Sequence, residues 1–134
     1  MSLELIADAG PLLAAANRKD SFHQRAQAEL RQARRDQRPV IVSYSTVLET
    51  HSLLLRRLGP ESAESWLADV LATGTMVNPT ADDYTIAAMR LASFPDQPIT
   101  LFDMVVALLA ERLRAQVWTY DHHFDLMRAD VWRP

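Results

Sequence analysis

The sequence predicts a three-layer α/β/α domain around a short, mainly parallel central sheet of four to five strands. Two observations predict it. Short apolar or β-branched runs, each the length of one buried strand, alternate with longer stretches whose apolar residues recur at helical spacing. No repeat, linker or low-complexity stretch breaks that alternation, so residues 1–134 read as a single domain. Strands separated by helices pair in parallel, and each connecting helix then covers a face of the sheet. Hydrophobic residues make up 49% of the chain, enough to fill a core between such layers.

Leu3-Glu4-Leu5-Ile6-Ala7 reads as the first strand, ended by Asp8-Ala9-Gly10-Pro11. Glycine followed by proline marks a turn, and Pro11 suits the first turn of a short helix over 12–17. Asp20 and Ser21 can cap a longer helix, with Phe22, Ala26 and Leu30 on its apolar side and its arginines outward; Pro39 ends it. Val40-Ile41-Val42 is the second strand. From Ser43 to Leu58, the residues Tyr44, Val47, Leu48, Leu54, Leu55 and Leu58 share one broad helical face, closed by Gly59-Pro60. Pro60 and Glu61 open the next helix, with Trp66, Leu67, Val70 and Leu71 inward and Gly74 at its end. Thr75-Met76-Val77 is the third strand. Thr80-Ala81-Asp82-Asp83 caps a helix whose apolar residues are Ile86, Met89 and Leu91. After a loop at 94–98 come an apolar helix and a fourth strand over 117–120, and Val131 with Trp132 supplies a fifth strand at the edge.

Composition narrows the chemistry. The chain has no cysteine, which removes disulfides, thiolate zinc sites and a cysteine nucleophile and fits a reducing cytoplasm. No apolar run reaches the ~18 residues of a membrane span, and Met1-Ser2-Leu3-Glu4 has no basic stretch, so neither a membrane segment nor a signal peptide is expected. A net charge of −3 does not advertise nucleic-acid binding. Of 14 basic residues, however, only Lys19 is a lysine. Arginine matches phosphate in bidentate geometry, though GC-rich codon usage produces the same bias. Arg31, Arg34, Arg35 and Arg38 form one cluster, Arg56 and Arg57 another.

The informative residues are acids. Asp103 is the only polar residue between Leu101 and Ala110, and a carboxylate in so apolar a helix needs a cation, donors or water. Asp8 and Asp121 each stand where a strand stops, the edge at which open parallel sheets bind ligands. Glu49, like Asp103, sits early in a helix. Each has an ordinary reading: Asp8 as a turn or cap residue, Thr46 with Glu49 as a capping box, Thr100 with Asp103 as another, Asp121 as the cap of the turn that follows. Together they suit a hard divalent cation such as Mg²⁺ or Mn²⁺, which takes oxygen ligands and keeps clustered acids ionised. A nuclease needs that arrangement, since the cation activates water and braces the leaving oxygen.

On these residues the chain resembles the PIN-domain family, and in size and layout the VapC-type toxins of bacterial toxin–antitoxin pairs. The likeness rests on Ile6-Ala7-Asp8 with a helix beyond, on Val47-Leu48-Glu49-Thr50 followed by Leu54-Leu55-Arg56-Arg57, and on Asp103 opening a long apolar helix. Thr119-Tyr120-Asp121-His122-His123-Phe124 closes it, similar to the family's T-x-D-x-x-F. The resemblance implies a Mg²⁺- or Mn²⁺-dependent endoribonuclease whose metal-binding and catalytic acids match Asp8, Glu49, Asp103 and Asp121. It implies a cytoplasmic homodimer, silenced by a small VapB-like antitoxin whose tail occupies the active-site groove. The expected substrate is a structured RNA such as tRNA or rRNA, cut in a single-stranded loop. Where the family usually has hydroxyl residues, this chain has Ala9, Gly10 and Phe102, which motivates a second reading: a PIN-like module that binds RNA or protein without cutting.

Around these acids, Asp125 reads as an outer carboxylate near Asp121 or as a surface residue. Thr119 and Thr100 read as orienting hydrogen-bond donors or as strand and cap residues. His122 and His123 are adjacent and so are expected to face apart, in solvent or toward RNA, rather than toward one metal. Ser43 and Ser45 read as caps. A phosphoryl-accepting Asp8 is disfavoured, because that chemistry places an acid two residues on, where Gly10 stands.

Overall fold

The structure, a computed structural model, describes residues 4–134. Four strands, β1 (Leu5–Ala7), β2 (Val40–Ser43), β3 (Thr75–Val77) and β4 (Gln116–Trp118), form one parallel sheet in the order β3-β2-β1-β4. Helices α1 (Ala9–Ala16), α2 (His23–Arg35), α3 (Tyr44–Leu58), α4 (Pro60–Thr73), α5 (Ala81–Leu91), α6 (Leu101–Leu113) and α7 (His123–Leu126) connect and cover it. Leu3 of the expected first strand lies outside the described residues. The expected fifth strand shrinks to a single parallel bridge, Val117 to Val131. Among the described residues no helix is long and apolar enough to cross a membrane.

The strands alternate faces, as their period of two requires. Ile6, Ile41 and Val117 face α6, α7 and the buried Ala87 of α5, whereas Leu5, Ala7, Val42 and Trp118 face α1, α2 and α4. Helix α6 is the spine of the first layer: Met104 to Ala110 are all buried, which is why that stretch is apolar on every side.

Several boundaries differ from expectation for physical reasons. Gly10 and Pro11 do not make a turn. Helix α1 begins at Ala9, and Pro11 falls in its first turn, where a missing N–H costs nothing. Helix α2 begins at His23 rather than at an Asp20 cap, although the Asp20 carboxylate accepts the Phe22 N–H at 2.8 Å. Strand β4 runs from Gln116 to Trp118, two residues short of the expected Tyr120.

Two helices present different faces from those expected. In α3, Val47 and Leu54 are buried, but Tyr44, Leu48 and Leu55 are exposed; Thr46 and Thr50 fill the inward positions instead. Threonine has valine's shape, so hydropathy alone misplaces it. In α5, Ile86 and Met89 are exposed while Asp83 and Ala87 are buried. Small Ala87 lets α5 approach α6 closely, and Asp83 is held by Arg112 of α6 at 2.8 Å.

Candidate functional site

The sheet order reverses between β1 and β4: β2 and β3 lie to one side of β1, and β4 to the other. At such a switch point the connections leave in opposite directions and open a crevice beyond the strand ends. Asp8 follows β1 and Asp121 closes the segment beyond β4, so both stand on this rim. Glu49 reaches it from the second turn of α3 and Asp103 from the first turn of α6. The structure therefore brings these acids, from two strand ends and two helices, within electrostatic reach of one another.

Their electrostatics are those of one cluster. Asp8 is 6% exposed. Its carboxyl is pushed up to about 6 by burial, opposed by the Thr119 hydroxyl and the Ala9 N–H and reinforced by the charges of Asp103 and Asp121. Glu49 is pushed up to about 7 by burial and then by Asp8 and Asp103. Burial raises Asp103 as well, and Asp121 adds to this, while the Thr100 contacts and His123 oppose it. Asp8, Asp103 and Asp121 thus make their neighbours harder to ionise. An all-oxygen set of mutually repelling, partly dehydrated carboxylates fits a hard divalent cation, which would hold them ionised.

Local contacts set each acid in place. Asp8 occupies the N-cap position of α1 but makes no side-chain cap bond. Its Oδ2 instead accepts the Thr119 hydroxyl at 2.8 Å, and the Thr119 oxygen accepts the Asp121 N–H at 3.0 Å. Of the two capping boxes expected at these four acids, only one forms. Thr100 and Asp103 cap α6 reciprocally, through Thr100 N–H to Asp103 Oδ2 at 3.2 Å and Asp103 N–H to the Thr100 hydroxyl at 3.1 Å. Asp103 is therefore half-exposed at a helix N-terminus rather than sunk in the core, and the cap and the acid cluster share one side chain. At α3 the cap is Ser43, whose Oγ accepts the Ser45 N–H at 3.2 Å, so Glu49 makes no cap bond to Thr46.

Other candidates separate. Asp125 is committed to Arg133, 2.7 Å from each oxygen, and is exposed. Arg31, Arg34 and Arg35 lie in the half of α2 that leads to the start of β2, and Arg56 and Arg57 end α3 roughly 10 Å along the helix axis from Glu49. A cavity of about 870 Å³ between α2 and α4, lined by Leu30, Arg34 and Trp66, contains none of the acids.

Two arrangements were not visible in the sequence. The buried Glu29 of α2 accepts the Trp118 indole N–H at 3.0 Å and the Tyr120 hydroxyl at 2.5 Å. The Tyr120 ring lies under the Arg25 guanidinium at 4.3 Å and against Phe22 at 5.1 Å. Burial, then Glu29, holds the Tyr120 phenol far above its ordinary value. This clamp fixes the segment that carries Thr119 and Asp121. The second arrangement corrects the expectation for the histidines: both face Asp121. His123 Nδ1 lies 3.0 Å and His122 Nδ1 3.9 Å from Asp121 Oδ1. The backbone turns into α7 directly after Asp121, which brings both imidazoles to that carboxylate.

The PIN domain family model matches residues 5–129. No protein of curated function matches the chain. Among solved structures, VapC20 of Mycobacterium tuberculosis, a sarcin–ricin loop cleaving toxin, is similar at a TM-score of 0.86 and 23% identity, over 97% of this chain and 99% of that one. VapBC2 from Rickettsia felis, bound to a DNA fragment from its promoter, is similar at 0.70 and 14% identity, over 97% of each chain. FitAcB from Neisseria gonorrhoeae is similar at 0.67 and 18% identity, again over 97% of each. At these identities the structural likeness is one of fold. The family match spans nearly all of the described residues, and the chain belongs to the PIN domain family.

Proposed function

We propose that this chain is a Mg²⁺- or Mn²⁺-dependent endoribonuclease acting in the cytoplasm as the toxin of a toxin–antitoxin pair. The observation that carries the reading is the convergence of Asp8, Glu49, Asp103 and Asp121 at the β1/β4 switch point, with Asp8, Glu49 and Asp103 all raised by burial and then by neighbouring acids of the set. A divalent cation held there would activate a water for attack on phosphorus and offset the charge of the departing 3′-oxygen. The chain's own residues do the positioning. Thr119 fixes Asp8 and the Asp121 backbone together, Thr100 fixes Asp103, and the Glu29–Tyr120 clamp holds the segment between β4 and α7. By resemblance the products carry 5′-phosphate and 3′-hydroxyl ends.

PIN-family membership supports the reading, and so do the neighbours' names: VapC20, a toxin that cleaves the sarcin–ricin loop, and VapBC2, bound to a DNA fragment from its promoter. With the family resemblance they favour a structured RNA loop as substrate, of rRNA or tRNA, and a small VapB-like protein as partner. The exposed stripe Tyr44, Leu48 and Leu55 on α3, one face at helical spacing, supports a protein-binding surface of the kind a homodimer uses. The test is cleavage of a structured RNA by purified protein with Mn²⁺ or Mg²⁺. Wild type should cut and Asp103→Asn should not; equal cutting by both would overturn the assignment.

A further inference from the structure

We propose that Asp121, His122 and His123 form a binding site for a borderline-soft divalent cation of the Zn²⁺ class, and that its occupancy withdraws Asp121 from the acid cluster. The inhibitory half of this proposal rests on the nuclease reading above; the binding half does not.

The ligand atoms of the three residues lie within 4.8 Å of one another. Two donors each ~2.1 Å from one metal ion stand roughly 3.0 to 3.4 Å apart. His123 Nδ1 is already 3.0 Å from Asp121 Oδ1. It forms no hydrogen bond there, and it is buried without another partner among the described residues. A ring nitrogen held beside a carboxylate oxygen, out of line for a hydrogen bond, is arranged as two neighbouring ligands are. Asp121 Oδ1 is itself fixed by the His123 N–H at 2.9 Å. His122 Nδ1, at 3.9 Å, has less than 1 Å to close, and its side chain is 78% exposed, so rotation toward a cation meets little resistance. The two imidazole rings are 4.4 Å apart and tilted by 39°.

Donor chemistry selects the metal. Oxygen-only sites suit Mg²⁺ and Mn²⁺, whereas imidazole nitrogens favour Zn²⁺, Co²⁺, Ni²⁺ and Cu²⁺. Two imidazoles and one carboxylate with an open solvent side leave room for water in the remaining position. Because Asp121 belongs to both sets of ligands, a cation drawn toward the histidines competes with one centred among Asp8, Glu49 and Asp103.

The experiment titrates the full-length protein with Co²⁺, followed by visible absorption, and then displaces it with Zn²⁺, in wild type, His122→Ala and His123→Gln. Saturable one-to-one binding is expected, resistant to excess Mg²⁺ and weakened about tenfold or more in each variant. His122→Ala changes an exposed side chain, so it stays informative if His123→Gln fails to fold. Unchanged Co²⁺ affinity in His122→Ala and folded His123→Gln, or full displacement by Mg²⁺, would place the cation on the acids alone and overturn the site. In a parallel assay Zn²⁺ should inhibit Mn²⁺-dependent RNA cleavage by wild type, and His122→Ala should relieve the inhibition; equal inhibition of both would overturn the regulatory half. Should Mn²⁺ support no cleavage at all, the nuclease reading fails, while the Co²⁺ titration still decides the binding site.

Discussion

The Thr119 hydroxyl donates to Asp8 at 2.8 Å while its oxygen accepts the Asp121 N–H at 3.0 Å, so one side chain ties the end of β1 to the segment after β4. Among what opposes the burial of Asp8, this bond comes first. Thr119→Val keeps the shape and removes both bonds. Mn²⁺ affinity should fall roughly 10- to 100-fold by calorimetry, and stability by about 1–3 kcal/mol. Thr119→Ser should restore most of the affinity; an unaltered affinity in the valine variant would show that Thr119 does not position the acids.

Asp103 separates charge from capping. Asparagine keeps an oxygen that can accept the Thr100 N–H, so Asp103→Asn should retain α6 and melt within a few degrees of wild type, or higher without metal, because a repelling charge is gone. RNA cleavage should nevertheless be lost. Asp103→Ala, which lacks the acceptor, should lose about 1 kcal/mol more than the asparagine variant in urea unfolding.

Stability without metal should fall as pH rises. Asp8 goes from 3.8 to about 6 on folding, so the folded protein binds this proton more tightly than the unfolded chain. The stabilisation is complete below the unfolded value and is lost as pH climbs through about 6, amounting to about 3 kcal/mol. Glu49, raised to about 7, extends the same trend toward neutrality. Urea unfolding in chelator across this range should show the decline. Asp8→Asn should flatten it, and saturating Mn²⁺ should abolish it, since a cation favours the ionised cluster.

Glu29 is the hub of the clamp. Glu29→Ala strands the Trp118 N–H and the Tyr120 O–H and should cost roughly 2–4 kcal/mol. Tyr120→Phe removes one donor and leaves Glu29 bonded to Trp118 and Arg25, so about 1–2 kcal/mol is expected. A double-mutant cycle by urea unfolding should show coupling of these two changes, and purely additive values would mean that the bond contributes nothing.

The fold was legible wherever pattern and burial coincide. Val40-Ile41-Val42 and Thr75-Met76-Val77 are short β-branched or apolar runs, and both lie in strands. The α6 stretch is apolar on all sides because it is buried on all sides. Pattern misled where size mattered more than hydropathy: Ala87 is buried and Met89 exposed, Thr50 is buried and Leu48 exposed. In the candidate site, Asp8 and Asp121 could be placed because strand ends mark the rim of a parallel sheet. Glu29 could not, since it sits in a polar helix and its partner Tyr120 is 91 residues away. Nor could the convergence of His122 and His123, which depends on backbone angles at one turn and not on residue spacing.

The parallel pairing of β1 with β4 has a consequence for synthesis. Asp8 emerges from the ribosome 111 residues before its hydrogen-bond partner Thr119. Until β4 slots in beside β1, the rim lacks Thr119 and Asp121, and the Glu29 clamp has nothing to hold. A nascent or prematurely terminated chain that stops short of β4 therefore carries Asp8, Glu49 and even Asp103 without the frame that gathers them. Assembly of the candidate site is thus deferred until β4 has been made and has paired with β1.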